Sequence, residues 1–592
     1  MMRHRLLPAA LLGVIALLAL TAASPRAQAA NQPPPLRRDI YGGLTAISAR
    51  RTGFFRLAVM NGRWSLLSPL GHPLWLRSVY VVDFADGGRT AQAALARDFH
   101  GDPAAFARQA VARLKSWGFN ALGGYASTYV LPVPAYFRPH GNPDRLPFIR
   151  LLNISWYGAI DSGHLAPEPF KTLLAGAVDP RVYHDWMGNV PDVFDPNFAI
   201  YARNLAADRA TASRQTVFTA RTTVGGDPQP SLAQNPWLLA TSPDDADDLF
   251  GFGPGPERPG PDGAIHPHIG WIVAVTKPEQ KENTQVGQVI AGARTVRYSD
   301  PTVYAKVAWR EMLQHKYGTI AALNAAWGSN YTTFGSDGGW PNGRGLMDES
   351  GHHAWIGNDP LRLAHTAPAA RADMDAFLAL YADRYFRIVT EAIHAATPRQ
   401  LIFSPVLDSH GGLTRPAILR AAGRYCDALQ IDAEPSRPEV IERTYALAGK
   451  PMFSWLGLRA DSDSALGAPA PGLPAGAVTQ AARGLAYARH VAWLFSFRTA
   501  PGVAPIFGLD WWEYMDKLSE RANWGLVGAD NQPYNARWKR RVDKITPGGS
   551  SVGSPTDADD FLSAVTTANF DLDRRFLAAL GDPSQTAKEG RH

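Results

Sequence analysis

Most of the chain alternates short apolar runs with longer segments whose apolar residues recur every three or four positions. Short runs bounded by turn formers suit buried strands, and the longer period suits amphipathic helices. Eight runs have strand character, at 74–82, 119–124, 191–194, 236–240, 401–407, 428–431, 451–456 and 505–509. Helical periodicity lies between them, over 106–117, 196–208, 302–327, 373–396, 414–424, 438–448 and 477–499. Strands that alternate with helices predict a parallel sheet. Eight such units predict an α/β fold, a (β/α)8 TIM barrel with its site at the carboxyl ends of the strands. An open doubly wound sheet is the alternative, weakened because no Gly-rich phosphate loop joins a strand to a helix.

Before the barrel, residues 30–73 read as an N-terminal extension with short strands. Asn61-Gly62 marks a hairpin and Pro69 to Pro73 a second turn. The barrel is expected over 74–547, with long strand-to-helix loops. Among these are a Gly- and Pro-rich insertion at 251–263 and an aperiodic stretch at 328–367, long enough to suggest a functional role. Residues 548–592 read as a linker and a short helical tail.

Composition narrows the partners. The 592 residues carry a formal charge of +6, of which Arg3, Arg5 and Arg26 contribute three units. These arginines belong to residues 1–29, which have the basic start, apolar run and Ala27-Gln28-Ala29 ending of a signal peptide. A secreted or periplasmic protein is therefore expected, with an uncleaved membrane anchor as the alternative. No later segment is apolar enough to span a bilayer. The remaining basic residues are dispersed among acidic ones, which argues against a nucleic-acid partner. A single cysteine, Cys426, excludes an intrachain disulfide and a Cys-rich metal site. Cofactors are expected to be none, and oligomeric state is not legible.

Acidic and aromatic residues gather where strands end. They are Asp83, Tyr125, Asp192 and Asp195, the cluster Asp244, Asp245, Asp247 and Asp248, then Asp408 and His410, Asp432 and Glu434, Trp455, and finally Asp510, Trp511, Trp512 and Glu513. Asp195, just before Pro196, suits a helix N-cap. The stretch Pro505 to Leu526 sets two adjacent tryptophans among Glu513, Tyr514 and Asp516, and closes on Asn523-Trp524-Gly525. Indole faces beside carboxylates suit a sugar cleft, because ring faces stack and hydroxyls need acceptors. A core strand running into a surface helix is the plainer alternative. Glycoside cleavage needs one protonated carboxyl and one carboxylate, and neighbouring acids can separate their pKa values accordingly. The 244–248 cluster could equally hold calcium.

The chain resembles retaining glycoside hydrolases built on the eight-fold barrel, particularly the beta-agarase and bacterial beta-galactosidase branches. The resemblance rests on Asn61 to Trp75, on Lys316 to Trp327 (KYGTIAALNAAW), on Pro236 to Asp245 and on Gly508 to Leu526. It implies a polysaccharide or oligosaccharide substrate, an acid/base glutamate near Asp245-Ala246 and a nucleophile glutamate where Trp455 stands. Neither glutamate is present. One expectation is a secreted glycoside hydrolase with relocated carboxylates, the acid Asp245 or Asp247 and the partner Glu434 or Glu513. Asp83, Tyr125, Asp244, Asp408, His410, Asp432, Trp455, Trp511, Trp512, Asn523 and Trp524 would contact substrate. The other expectation is a barrel that binds carbohydrate without cleaving it. A lyase or metal-dependent hydrolase using His410 and the acidic loop is a third.

Overall fold

The computed structural model describes residues 36–84, 87–127, 129–131, 145–156, 191–210, 232–245, 304–335, 337, 344–346, 367–407, 413, 415–460, 466, 476–477, 479–518, 522–534 and 561–581. It is a closed parallel barrel of eight strands preceded by a small antiparallel sheet. In that sheet β1 (Arg56–Met60) pairs with β2 (Arg63–Leu67), and β2 with β3 (Pro73–Leu74). Asn61 and Gly62 both take positive φ, 47° and 69°, the geometry of the tight hairpin their dipeptide encodes.

The barrel strands are β4 (Leu76–Val79), β5 (Ala121–Leu122), β6 (Phe148–Leu151), β7 (Leu238–Ser242), β8 (Leu401–Leu407), β9 (Ala428–Asp432), β10 (Met452–Gly457) and β11 (Ile506–Trp512). Neighbours pair in parallel, and closure comes where β11 meets β4, with Asp510 opposite Ser78.

The described helices are α1 (Gly88–Phe99), α2 (Pro103–Ser116), α3 (Pro196–Ala210), α4 (Tyr304–Tyr317), α5 (Ile320–Trp327), α6 (Pro368–Ala396), α7 (Pro416–Tyr425), α8 (Glu439–Ala448), α9 (Gln480–Ser496) and α10 (Phe561–Leu580). Their termini follow local chemistry. Asp102 accepts from Ala104 N at 2.8 Å at the start of α2, and Asp195 from Asn197 N at 2.9 Å at the start of α3, as expected of an N-cap. The helix expected over 302–327 is two helices, because Gly318 takes a left-handed φ of 69° and Thr319 then caps α5.

The expected third strand is corrected. Barrel strand three is β6, while 191–194 lies outside the barrel. There Tyr381 donates to Pro191 O at 2.9 Å and Arg384 to Val193 O at 2.7 Å, so side chains of α6 take the carbonyls a neighbouring strand would have used.

Two apolar clusters hold this architecture. One lies between strands and helices and includes Trp75, Leu122, Trp309, Phe377 and Trp511. The other fills the barrel, where Leu76, Ala121, Leu239, Phe403, Phe453 and Phe507 meet Tyr41, Phe55, Leu66 and Leu74 of the N-terminal extension. The extension therefore plugs the amino-terminal end of the barrel. At the same end α10 closes the circuit. Asp573, 1% exposed, pairs with the fully buried Arg77 of β4 at 2.9 Å and also with Arg38. The Asn569 amide donates to Trp117 O at 2.8 Å, and Tyr487 of α9 donates to Asn569 Oδ1 at 2.7 Å.

Candidate active site

Partners in a parallel ladder send their side chains to the same face. Asp432, Trp455, Asp510 and Ser78 are successive register partners across β9, β10, β11 and β4, so they share one side of the barrel wall. Asp510 is 1% exposed and lies above the apolar filling. Its Oδ2 accepts from Gln430 Nε2 at 3.0 Å, and its Oδ1 has no hydrogen-bond partner. That oxygen faces Gly123, where an added Cβ would stand only 2.5 Å from it. Burial pushes the Asp510 carboxyl up to about 7, against the pull of the neighbouring Ser78 hydroxyl and Gln430 amide.

Above Asp510 the mouth is aromatic. The ring of Tyr80 lies 4.9 Å from that of Trp455 and 5.4 Å from that of Trp512, and the two indoles are 5.2 Å apart. Tyr125 meets Tyr80 edge-on at 5.8 Å. From this ring cluster the Tyr80 hydroxyl donates to the Asp245 carboxylate. The Asp245 backbone is fixed from the neighbouring strand, since Val406 N donates to Asp245 O at 2.7 Å. Tyr125 donates to Asn153 Oδ1 at 2.8 Å. Lys517 stands with its ammonium 5.0 Å from the Trp512 ring centroid. Burial raises Asp245 to about 6, and Tyr80, Lys517 and Tyr125 draw it back toward the charged form. Burial and the Asp245 charge together raise Tyr80 well above the usual tyrosine value, which keeps it a proton donor.

Adjacent acids face opposite ways. Asp244 turns toward the helix layer, where its carboxylate accepts from Ser155 N at 2.6 Å and from the Tyr385 hydroxyl of α6. Burial pushes it up to about 7. The same alternation separates the paired indoles. Trp512 joins the mouth, whereas Trp511 points outward, 5.5 Å from the Tyr487 ring and 5.4 Å from Phe561, and its Nε1 donates to Glu513 O at 3.0 Å. Strand eight runs on through Trp512, so Asp510, Trp511 and Trp512 belong to the strand and do not follow it.

The mouth thus gathers Asp245, Tyr125, Asp432, Trp455 and Trp512. Asp83 is buried beside it, with Oδ1 accepting from Phe84 N at 2.6 Å. Glu513 is buried, and its carbonyl accepts from Leu526 N at 3.2 Å. Asn523 is a buried connector: its Oδ1 accepts from Gln480 Nε2 at 2.8 Å, and its Nδ2 donates to Asp516 Oδ1 at 2.9 Å. The Trp524 ring lies against Gly457, with the Arg459 guanidinium 5.3 Å from its centroid. Glu434 is exposed and accepts from the Ser436 hydroxyl at 3.0 Å. Asp247, Asp408 and His410 lie outside the described residues.

Sequence reasoning left Tyr80, Gln430 and Lys517 out, and it named Asp510 only as a residue following its strand. The usable signal was a period of two, since Asp510 and Trp512 share a face two positions apart. Among the described residues no group of three or more His, Cys, Asp or Glu side chains could hold a metal ion. No described helix is long and apolar enough to cross a membrane.

No protein-family model matches the chain, and no curated protein matches it. Solved structures do resemble it in fold. An exo-beta-agarase superposes with a TM-score of 0.60 at 19% identity, over 94% of this chain and 70% of that one. The agarase AgWH50C gives 0.57 at 18% identity, over 94% and 70%. BpGH50 gives 0.54 at 14% identity, over 93% and 87%. At these identities the likeness is one of fold: the chain is a (β/α)8 barrel similar to those of agarases.

Proposed function

We propose that this protein is a glycoside hydrolase that holds a polysaccharide or oligosaccharide across the barrel mouth. The observation that carries the reading is Asp245, a buried carboxyl with a pKa raised to about 6, hydrogen-bonded by Tyr80, whose ring packs with those of Trp455 and Trp512. Ring faces exclude water and stack on the apolar face of a sugar. A carboxyl that keeps its proton into the mildly acidic range can deliver it to a glycosidic oxygen. Asp245 takes that role. Asp432, half-buried at the end of β9 on the Trp455 face, takes the role of the second carboxylate, which attacks the anomeric carbon or activates a water. Since the neighbouring folds include agarases, a galactan of the agarose type is the first glycan to offer. Residues 1–29 are proposed to direct export. Comparing the extracellular and cell-bound protein with and without them tests this.

The test is a glycan panel with product analysis on the wild type and Asp245→Asn. Turnover that falls about a hundredfold or more in the variant while binding persists supports the reading. Turnover unchanged in Asp245→Asn removes the residue from the mechanism. A second reading, glycan binding without cleavage, is favoured by Trp455 standing where the resemblance sets the nucleophile. Saturable binding with no turnover of any glycan selects it, and neither binding nor turnover sinks both.

A further inference from the structure

The opposite end of the barrel carries a second cleft, of about 440 Å3, that takes no part in the chemistry above. Its floor and walls come from residues just ahead of three strands. Phe119 and Asn120 precede β5, Leu146 and Pro147 precede β6, and Trp237 precedes β7. Residues 38–42 of the N-terminal extension form the remaining side. The volume lies within the range of small-molecule sites, roughly 300–1,000 Å3.

Its chemistry is asymmetric. Among the described residues that line it are three cations, Arg38, Lys115 and Arg145, and one carboxylate, Asp39. That carboxylate is committed to the chain: Oδ1 accepts from Tyr41 N at 2.8 Å and Gly43 N at 2.9 Å, and Oδ2 from the Ser68 hydroxyl at 2.5 Å. Arg38 pairs with Asp573 behind the cleft. Lys115 is exposed and Arg145 half-buried at the wall. Beside them the rings of Tyr41 and Trp237 pack 4.6 Å apart, and the Arg145 guanidinium carbon is 6.0 Å from the Trp237 centroid. A cation fork beside a half-exposed indole suits a ring that presents an apolar face and an anionic substituent.

We propose that this cleft binds an anionic sugar unit, sulfated or carboxylated, and so anchors a glycan at the end of the barrel remote from Asp245. Arg145 and Lys115 take the anionic group and Trp237 the ring face. The choice of a sugar over other anionic rings rests on the glycan reading of the mouth. The cleft and its charge do not.

Calorimetric titration of the full chain carrying Asp245→Asn tests the site without turnover. The probes are a sulfated galacto-oligosaccharide, an oligogalacturonate and a neutral galacto-oligosaccharide of equal length. Saturable binding of at least one anionic probe is expected, weakening as salt is raised and falling about tenfold or more in Lys115→Glu/Arg145→Glu. Trp237→Leu should weaken it comparably at an unchanged melting temperature. Which anionic probe binds tells sulfate from carboxylate. Three results overturn the proposal: no binding of either anionic probe, binding indifferent to the charge reversals, or equal binding of the neutral probe. Failure of the hydrolase reading registers separately, as absence of turnover by the wild type.

Discussion

Tyr80 and Asp245, 165 residues apart in sequence, meet inside the barrel mouth, where the buried hydroxyl donates to the carboxylate. Gly124 makes room for the tyrosine, since a Cβ there would come within 2.6 Å of its ring. The hydrogen bond favours charged Asp245, so Tyr80→Phe should raise the Asp245 pKa, by about one unit for a bond of this type. Carbon-13 NMR titration of aspartate carboxyls, or the alkaline limb of a pH–activity profile, reads the shift. An unchanged or lowered value would remove the hydroxyl as the group that tunes Asp245.

The aromatic platform makes a second prediction. Trp512→Ala should weaken glycan binding about tenfold, from lost stacking and apolar burial. Trp511→Ala should instead lower the melting temperature, because Trp511 fills the space against Tyr487 and Phe561. Equal loss of affinity without loss of stability in both variants would contradict the alternation of the two indoles.

Acidic conditions should stabilise this protein. In an unfolded chain an aspartate loses its proton near 3.8, whereas here Asp244 and Asp510 hold theirs to about 7 and Asp245 and Asp516 to about 6. Over that interval the folded state binds more protons. Each group's contribution is whole below its unfolded value and is lost as pH rises through the folded one. His490, pushed by burial down to about 4, acts oppositely, its contribution being lost as pH falls from 6.5 toward 4, but among the described residues it stands against these four aspartates and Asp375, which burial also raises. The melting temperature should therefore be higher at about pH 5.5 than at about pH 8, and Asp510→Asn should narrow the difference chiefly by stabilising the alkaline side. A melting temperature that rises steadily from acid to alkaline pH contradicts this.

The buried ion triad should be costly to break. Asp573→Ala leaves Arg77, which has no exposed side-chain surface, beside Arg38 with their shared carboxylate gone, at a cost of about 3–5 kcal/mol. Urea denaturation measures it, and a loss below about 1 kcal/mol would mean that Arg77 finds another acceptor.

The barrel was legible because most of its strands are continuous apolar runs between turn formers, as at 401–407 and 428–431. Strand β6 was not, since FIRL is a four-residue run interrupted by Arg150 and offers little periodicity. The site was legible only as a set of acids and indoles. Which acid points inward depends on the facing of Asp244 and Asp245, and a register of two cannot be read where a turn intervenes. Tyr80 was hidden inside an apolar run, and Asp510 became interior only because β11 continues past Leu509.

The triad also sets an order of events. Arg38 and Asp573 are 535 positions apart, and β4, the first barrel strand made, pairs with β11, the last of the eight described. Ring closure and its lock therefore wait until β11 and then α10 have left the ribosome. Until then Arg77 has no carboxylate from α10 and β4 lacks its β11 neighbour. Nascent chains truncated before Phe561 should accordingly remain protease-sensitive along their length, and resistance should appear in one late step as α10 emerges.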